Sequence, residues 1–106
     1  MAFYTVDALP EREIVPGFRA RFIHGEGMTA AFWSADAGAE LPVHRHPHEQ
    51  MAQVMEGRFE LTMGEETRTL GPGEVAIIPP DVPHGGRAAT DCRLMDLFHP
   101  VREDYR

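Results

Sequence analysis

Apolar residues in this chain come in short runs, each closed by glycine or proline, and nowhere recur at the three-four spacing of an amphipathic helix. The punctuation is dense: Pro16-Gly17, Gly25-Glu-Gly27, Gly71-Pro-Gly73, Pro79-Pro80 and Gly85-Gly86. Between these turns the pattern predicts strands over 19–24, 28–35, 51–56, 58–63, 74–78 and 93–98. Gly64-Glu-Glu reads as the tip of a hairpin joining Phe59–Met63 to Thr67–Leu70. Many short strands at regular spacing make an all-β sandwich or barrel. The 106 residues are enough for one domain and one core, with no linker or repeat to divide them. Phe59, Leu61, Val75 and Ile77 carry the period-two spacing of core positions, while Phe22, Phe32 and Trp33 line either the core or a subunit contact. Residues 11–13 and 103–106 are polar and belong on the surface.

Charge narrows the functional classes. A net charge of −7 argues against binding nucleic acid and against an anionic membrane surface. All ten basic residues are Arg, so a Schiff-base lysine and a phosphate-binding P-loop are both ruled out. Arg is also the cation whose planar fork suits a small-molecule carboxylate. Cys92 is alone, which excludes an internal disulfide and reads as a small buried hydrophobe. The first residues lack the charged start and apolar run of a signal peptide, no stretch is apolar enough to span a membrane, and a cytoplasmic location is the expectation.

The candidate chemistry lies in two blocks. Gly38-Ala-Glu-Leu-Pro-Val-His44-Arg-His46-Pro-His-Glu-Gln50 closes at Gly57, and Gly73-Glu-Val-Ala-Ile-Ile-Pro79-Pro80-Asp81-Val-Pro-His84 runs on to Ala88. On a strand, His44 and His46 point the same way. With His84 from a distant strand they make most of a first-row metal site, and Gln50 can add a neutral amide oxygen. Three imidazoles and an amide leave the full 2+ charge on a bound ion, which favours polarising an oxygen over stabilising an oxidised metal. The donor set accepts nickel, zinc, iron, manganese or cobalt without naming one. His48, offset from the ligands, fits a supporting or rim position, and His24 and His99 fit structural or surface positions.

Blocks 38–57 and 73–88 resemble the two motifs of the cupin superfamily, single-domain jelly-roll barrels that often hold one metal. Gln50 stands where that pattern usually has Glu, Asp81 where it has Gly, and Ala88 where it has Asn. A narrower likeness joins His44-Arg-His46-Pro-His-Glu-Gln50, Glu56-Gly57-Arg-Phe59-Glu, Pro79-Pro80-Asp-Val-Pro-His84-Gly85 and Asp96-Leu-Phe98-His-Pro100-Val-Arg102-Glu-Asp104-Tyr105 to the pectin-degradation cupins of the KdgF type. That resemblance implies a metal held by His44, His46, Gln50 and His84, and active-site roles for Asp96, Phe98 and Arg102. It also implies conversion of unsaturated monomeric uronates, left by pectate and alginate lyases, to their open-chain keto forms.

The residues of the last strand leave alternatives open by themselves. With Leu94 facing inward, Asp96 sits in an apolar barrel near the metal and can move protons; facing out, it meets water or pairs with Arg93 or Arg58. Phe98 is a wall for a sugar ring or plain core. Arg102 either folds over the barrel mouth to clamp a carboxylate or is a solvated Arg paired with Glu103 or Asp104. The expected function is a metal-dependent, isomerase-like enzyme of uronate breakdown acting on a small carboxylate or sugar acid. Its rivals are an iron-dependent cupin dioxygenase on a small organic substrate and a non-enzymatic metal- or sugar-binding cupin. A homodimer is expected, since pairing with a second copy covers sheet edges.

Overall fold

A computed structural model describes residues 1–106, all in an all-β arrangement apart from single 3-10 turns at Val6–Ala8 and Glu103–Tyr105. The strands are β1 (Arg12–Val15), β2 (Phe18–His24), β3 (Thr29–Ala35), β4 (Glu40–His44), β5 (Glu49–Glu56), β6 (Phe59–Met63), β7 (Glu66–Leu70), β8 (Val75–Ile78), β9 (His84–Ala88) and β10 (Cys92–His99). They form a six-stranded sheet in the order β1-β2-β3-β10-β5-β8 and a four-stranded sheet in the order β4-β9-β6-β7. Every pairing is antiparallel. The central strands bury one face against the opposite sheet, as in a two-layer β fold, while β1, β4 and β7 hold no fully buried residue. No helix is long and apolar enough to cross a membrane.

The core follows the two-residue period. Strand β3 alternates buried Thr29, Ala31, Trp33 and Ala35 with half-buried neighbours, and Phe18 packs edge-on against both Trp33 and Phe59. The hairpin between β6 and β7 turns through Gly64, whose φ of 62° suits the first position of a two-residue hairpin turn. Cys92 is buried, with its thiol against the Arg58 carbonyl. Strands β1 and β9 are missing from the sequence pattern: β1 is half charged, and β9 is His-Gly-Gly-Arg-Ala, with too few apolar side chains to announce a strand.

One core assignment is reversed. Phe59 and Leu61 are buried, but Val75 and Ile77 are each 48% exposed, and Ile78 is the fully buried residue of β8. The strand reads Val-Ala-Ile-Ile, apolar on both faces, so its phase is fixed by pairing rather than by composition: Gln50 lies opposite Ile78 and Ala52 opposite Ala76.

Row by row, the six-stranded sheet explains where space is left inside. Asp96 lies between Ala31 and Ala52, and Ala76 follows Ala52 on β8. Three alanines beside one short acid leave a hollow at mid-barrel. The rows on either side carry Phe98 with Gln50 and Thr29, and Leu94 with Val54 and Trp33.

The two sequence blocks meet through the β4–β9 and β5–β8 pairings, and a further backbone contact ties the loop between β4 and β5 to the second block: Asp81 N–H donates to the His46 carbonyl at 2.8 Å. Asp81 holds φ at +62°, the left-handed region in which side chains other than Gly are strained. In urea unfolding of the metal-free protein, Asp81→Gly is expected to stay within about 1 kcal/mol of the parent, while Asp81→Val falls below it by roughly 1–2 kcal/mol. Equal losses in both would show that the carboxylate, not the backbone conformation, is what matters there.

Candidate metal centre

His44 closes β4 and His84 opens β9, and the two residues face each other in the β4–β9 register. His46 does not share a strand with His44: the chain leaves β4 at His44, and His46 lies in the loop before β5. The convergence expected from strand alternation is therefore produced by a turn, which the Asp81 hydrogen bond holds in place. The rings sit 5.7 Å (His44–His46), 4.3 Å (His44–His84) and 4.9 Å (His46–His84) apart between centroids. One nitrogen from each lies within 4.8 Å of the other two.

Hydrogen bonds decide which nitrogens those are. His44 Nδ1 meets the Pro42 carbonyl at 2.8 Å, His84 Nδ1 the Val82 carbonyl at 2.9 Å, and His46 Nδ1 the His48 carbonyl at 3.1 Å. A carbonyl oxygen can only accept, so each Nδ1 must donate. In the neutral ring this leaves all three Nε2 atoms as lone pairs, the arrangement found where His ligates a metal. His84 Nε2 is buried with no partner. His46 Nε2 lies 3.1 Å from Gln50 Oε1, which sets one acceptor against another. An orphaned buried nitrogen and two acceptors face to face are what a shared cation satisfies, so the residues present fit a divalent transition ion. Burial, with the nearby Arg102 charge, lowers the His46 pKa to about 4, and burial lowers that of His84. Both rings are thus held in the neutral form that ligation requires.

Asp96 faces inward one row from Gln50 and is 8% exposed. Burial raises its pKa to about 7; the Gln50 and Trp33 N–H groups and the Arg102 charge pull the other way. Trp33 Nε1 completes no hydrogen bond of good geometry, so its indole edge acts on the carboxylate as an oriented dipole. Gln50 thus borders both groups: its oxygen lies 3.1 Å from His46 Nε2, and its side chain favours the charged form of Asp96. The outward alternatives, pairing with Arg93 or Arg58, do not occur.

Arg102 is 6% exposed and takes a part of each alternative left by the sequence: it is buried against the barrel, and it is paired with Asp104. Its Nε and Nη2 bind Asp104 at 3.0 and 2.8 Å, but the guanidinium is far from a solvated tail. It lies 4.7 Å over the Phe98 ring and 4.2 Å over the Tyr105 ring, and its backbone N–H donates to buried Thr29 Oγ1 at 2.9 Å. Burial works against its charge, and the Asp104 carboxylate more than offsets that, leaving Arg102 firmly cationic. The Nη1 hydrogens pair with no carboxylate in the chain. Phe98, 3% exposed, also stands edge-on to His46 at 5.6 Å, so it is core and cavity wall at once. A cavity of about 240 Å³ touches His44, Gln50, His84, Asp96, Phe98 and Arg102 together. His48 takes the supporting position expected of it, through its carbonyl, which orients His46; two participants were given no such role by the sequence: Tyr105, which stacks on Arg102, and Trp33, read as core or subunit contact, which acts on Asp96.

Residues 31–98 match the Cupin domain family, well over half of the chain, and this protein belongs to that family. KdgF from a Halomonas species superposes with a TM-score of 0.94 at 29% identity, covering 100% of this chain and 99% of that one. An RmlC-like cupin from Shewanella frigidimarina gives a TM-score of 0.94 at 30% identity over 100% and 96%. H2HPP isomerase of Bacillus subtilis is 43% identical over 55 residues, 51% of this chain and only 23% of that relative.

Asp96 has a measurable consequence for folding. Its native pKa of about 7 lies above its ordinary value of 3.8, so the native state binds a proton that the unfolded chain has released across that window. Stability contributed at this position is therefore lost as pH rises from about 4 to about 7. His46, with its lowered pKa, acts in the opposite sense below pH 6.5, so comparing variant with parent isolates Asp96. In chelator-treated protein at pH 8, Asp96→Asn is expected to melt higher than the parent, with the gap closing towards pH 4. A variant less stable than its parent at pH 8 would contradict the reading.

Proposed function

We propose that this cupin is a metal-dependent isomerase that moves a proton on a small, enolisable carboxylate substrate. The unsaturated uronate produced by pectate and alginate lyases is the member of that class to which the likeness to KdgF points. The name of the partly matching H2HPP isomerase supports the same reaction type. The observation carrying the reading is Asp96: a buried carboxylate poised near neutrality, one amide away from three converging imidazoles.

A divalent ion at His44, His46, His84 and Gln50 would supply Lewis acidity to a substrate oxygen. The chain's own residues do the rest. Arg102 offers its Nη1 edge to the substrate carboxylate, and the rings of Phe98 and Tyr105, with Asp104, hold that edge still. Asp96 gives or takes the proton as the enol becomes a ketone, a role for which a pKa of about 7 is well placed. Burial of Asp96 in the hollow beside Ala31 and Ala52 limits the water that reaches that proton. Substrate-binding and proton-transfer roles are thereby assigned to separate side chains, which makes them separable by mutation.

The test is to follow loss of ultraviolet absorbance from lyase-generated unsaturated monouronate. Acceleration over the spontaneous opening is expected, with Asp96→Ala lowering kcat by roughly 10²–10⁴-fold and Arg102→Ala acting mainly by raising KM. No acceleration by metal-loaded protein with this or any other enolisable acid would reject the assignment. Oxygen uptake with ferrous iron would move the protein to the dioxygenase class. Unchanged ligand binding in both variants, with no turnover of any kind, would favour a non-enzymatic metal- or sugar-binding role.

A second copy is the partner proposed for the outer face of the six-stranded sheet. Met51, Met55, Val75, Ile77 and Leu97 are all at least 36% exposed there, with Met51 directly between Ile77 and Leu97. The outward positions of β5, β8 and β10 across 51–55, 75–77 and 93–97 include no carboxylate, which matters in a chain of net charge −7 meeting itself. Light scattering is expected to give a dimer mass for the parent and a monomer mass for Ile77→Glu; a monomeric parent at micromolar concentration would rule this interface out.

A further inference from the structure

The cavity is divided by polarity. Thirteen of its twenty lining residues are hydrophobic. The ionisable and ligand side chains His44, Gln50, His84, Asp96 and Arg102 gather at the end where β4, β9 and the start of β5 meet. On the far side of Asp96 the next inward row is Leu94 with Val54 and Trp33. Leu61 and Phe59, on the other sheet, are both buried and both in the lining. Gln53, the remaining amide of the lining, belongs to the outward-facing set of its strand, between exposed Met51 and Met55.

This split constrains the substrate more tightly than the reaction does. A sugar acid carries hydroxyls around its whole body. Hydroxyls that enter the Leu94 row give up water and meet a single unpartnered donor there, Trp33 Nε1, so most of them go unpaired, and such groups are strongly disfavoured in apolar surroundings. An apolar body gains from the same walls. The volume of about 240 Å³ lies below the roughly 300–1,000 Å³ of sites for drug-sized ligands, so the ligand is small.

Keeping the isomerase reading above but departing from the uronate within its substrate class, we infer that the site is matched to an enolisable 2-oxo acid bearing an alkyl or aryl group, with the carboxylate towards Arg102 and the apolar group among Leu94, Val54, Leu61 and Phe59. The reaction balances without a co-reactant. The C3–H bond breaks and its proton passes to Asp96. Its electron pair becomes the C2–C3 double bond as the C2–O π pair moves onto the ketone oxygen, and Asp96 returns the proton to that oxygen, leaving the carboxylate as it began. The keto and enol forms have the same composition, and the reverse direction follows the same path.

Affinity decides the matter independently of turnover. Zinc-loaded full-length protein is titrated calorimetrically with phenylpyruvate, pyruvate and galacturonate. Phenylpyruvate is expected to bind at least tenfold more tightly than either of the others. Leu94→Ser should collapse that preference to within threefold, and Leu94→Met, which keeps the wall apolar, should retain it. Galacturonate binding as tightly as phenylpyruvate, or a preference unmoved by Leu94→Ser, would overturn the inference. Because the readout is binding, absence of any metal-dependent proton transfer counts against the isomerase reading, whereas an inverted affinity order counts against the apolar-substrate inference alone.

Discussion

Three backbone carbonyls, those of Pro42, His48 and Val82, decide what the three imidazoles can do. Each accepts from an Nδ1 and so turns a lone-pair nitrogen towards the same point. The order of construction matters. The β4–β9 register brings His44 opposite His84, and the Asp81–His46 hydrogen bond pins the intervening loop. Only then do ring rotations, tautomers and the Gln50 amide fall into place. Without an ion the arrangement is costly, since His84 Nε2 has no partner and His46 Nε2 faces another acceptor. That cost is held by the surrounding sheet pairing, which is how rigid β frames preserve polar sites that would not persist alone.

The acid and the ligands form one network. Gln50 faces His46 with its oxygen and acts on the Asp96 pKa, so charge placed at the imidazoles is felt at the carboxylate across a single side chain. A Glu at position 50 would place a second anion beside Asp96; the neutral amide supplies a donor instead. Alanines at 31, 52 and 76 make the room that this network needs, and Leu94, Val54 and Trp33 close the barrel beneath it. One strand, β10, thus sets the depth of each function: Phe98 beside the imidazoles, Asp96 in the hollow, Leu94 at the apolar floor.

Much of this was legible in the chain because chemistry-bearing residues are rare and their spacing is informative. Spacing, with the likeness to the cupin motifs, brought forward His44, His46, Gln50 and His84, and alternation along 94–98 placed Asp96 and Phe98 on one face. Where the sequence misled, the causes are physical. Strand β8 is apolar on both faces, so Val75 and Ile77 looked like core until pairing with β5 set the phase. His44 and His46 obeyed the two-residue spacing of a strand while lying across a strand end. Strand β9 is too rich in glycine to reveal itself, and Gly86 there has a buried reason: a Cβ would lie 2.5 Å from both the Glu60 carbonyl and the Phe59 ring. For Arg102 the sequence posed an exclusive choice, buried clamp or ion pair, and the aromatic cage of Phe98 and Tyr105 permits both. Stacking partners and carbonyl acceptors depend on three-dimensional closure and leave no trace in residue spacing.

The account rests on the tautomers, and nitrogen-15 magnetic resonance of the metal-free protein at pH 8 reads them directly. Long-range proton–nitrogen correlations should show His44, His46 and His84 each protonated at Nδ1 and bare at Nε2 before any ion is added. Protonation at Nε2 in any two of the three would contradict it, because those rings would turn a hydrogen, not a lone pair, towards the point where a cation must sit.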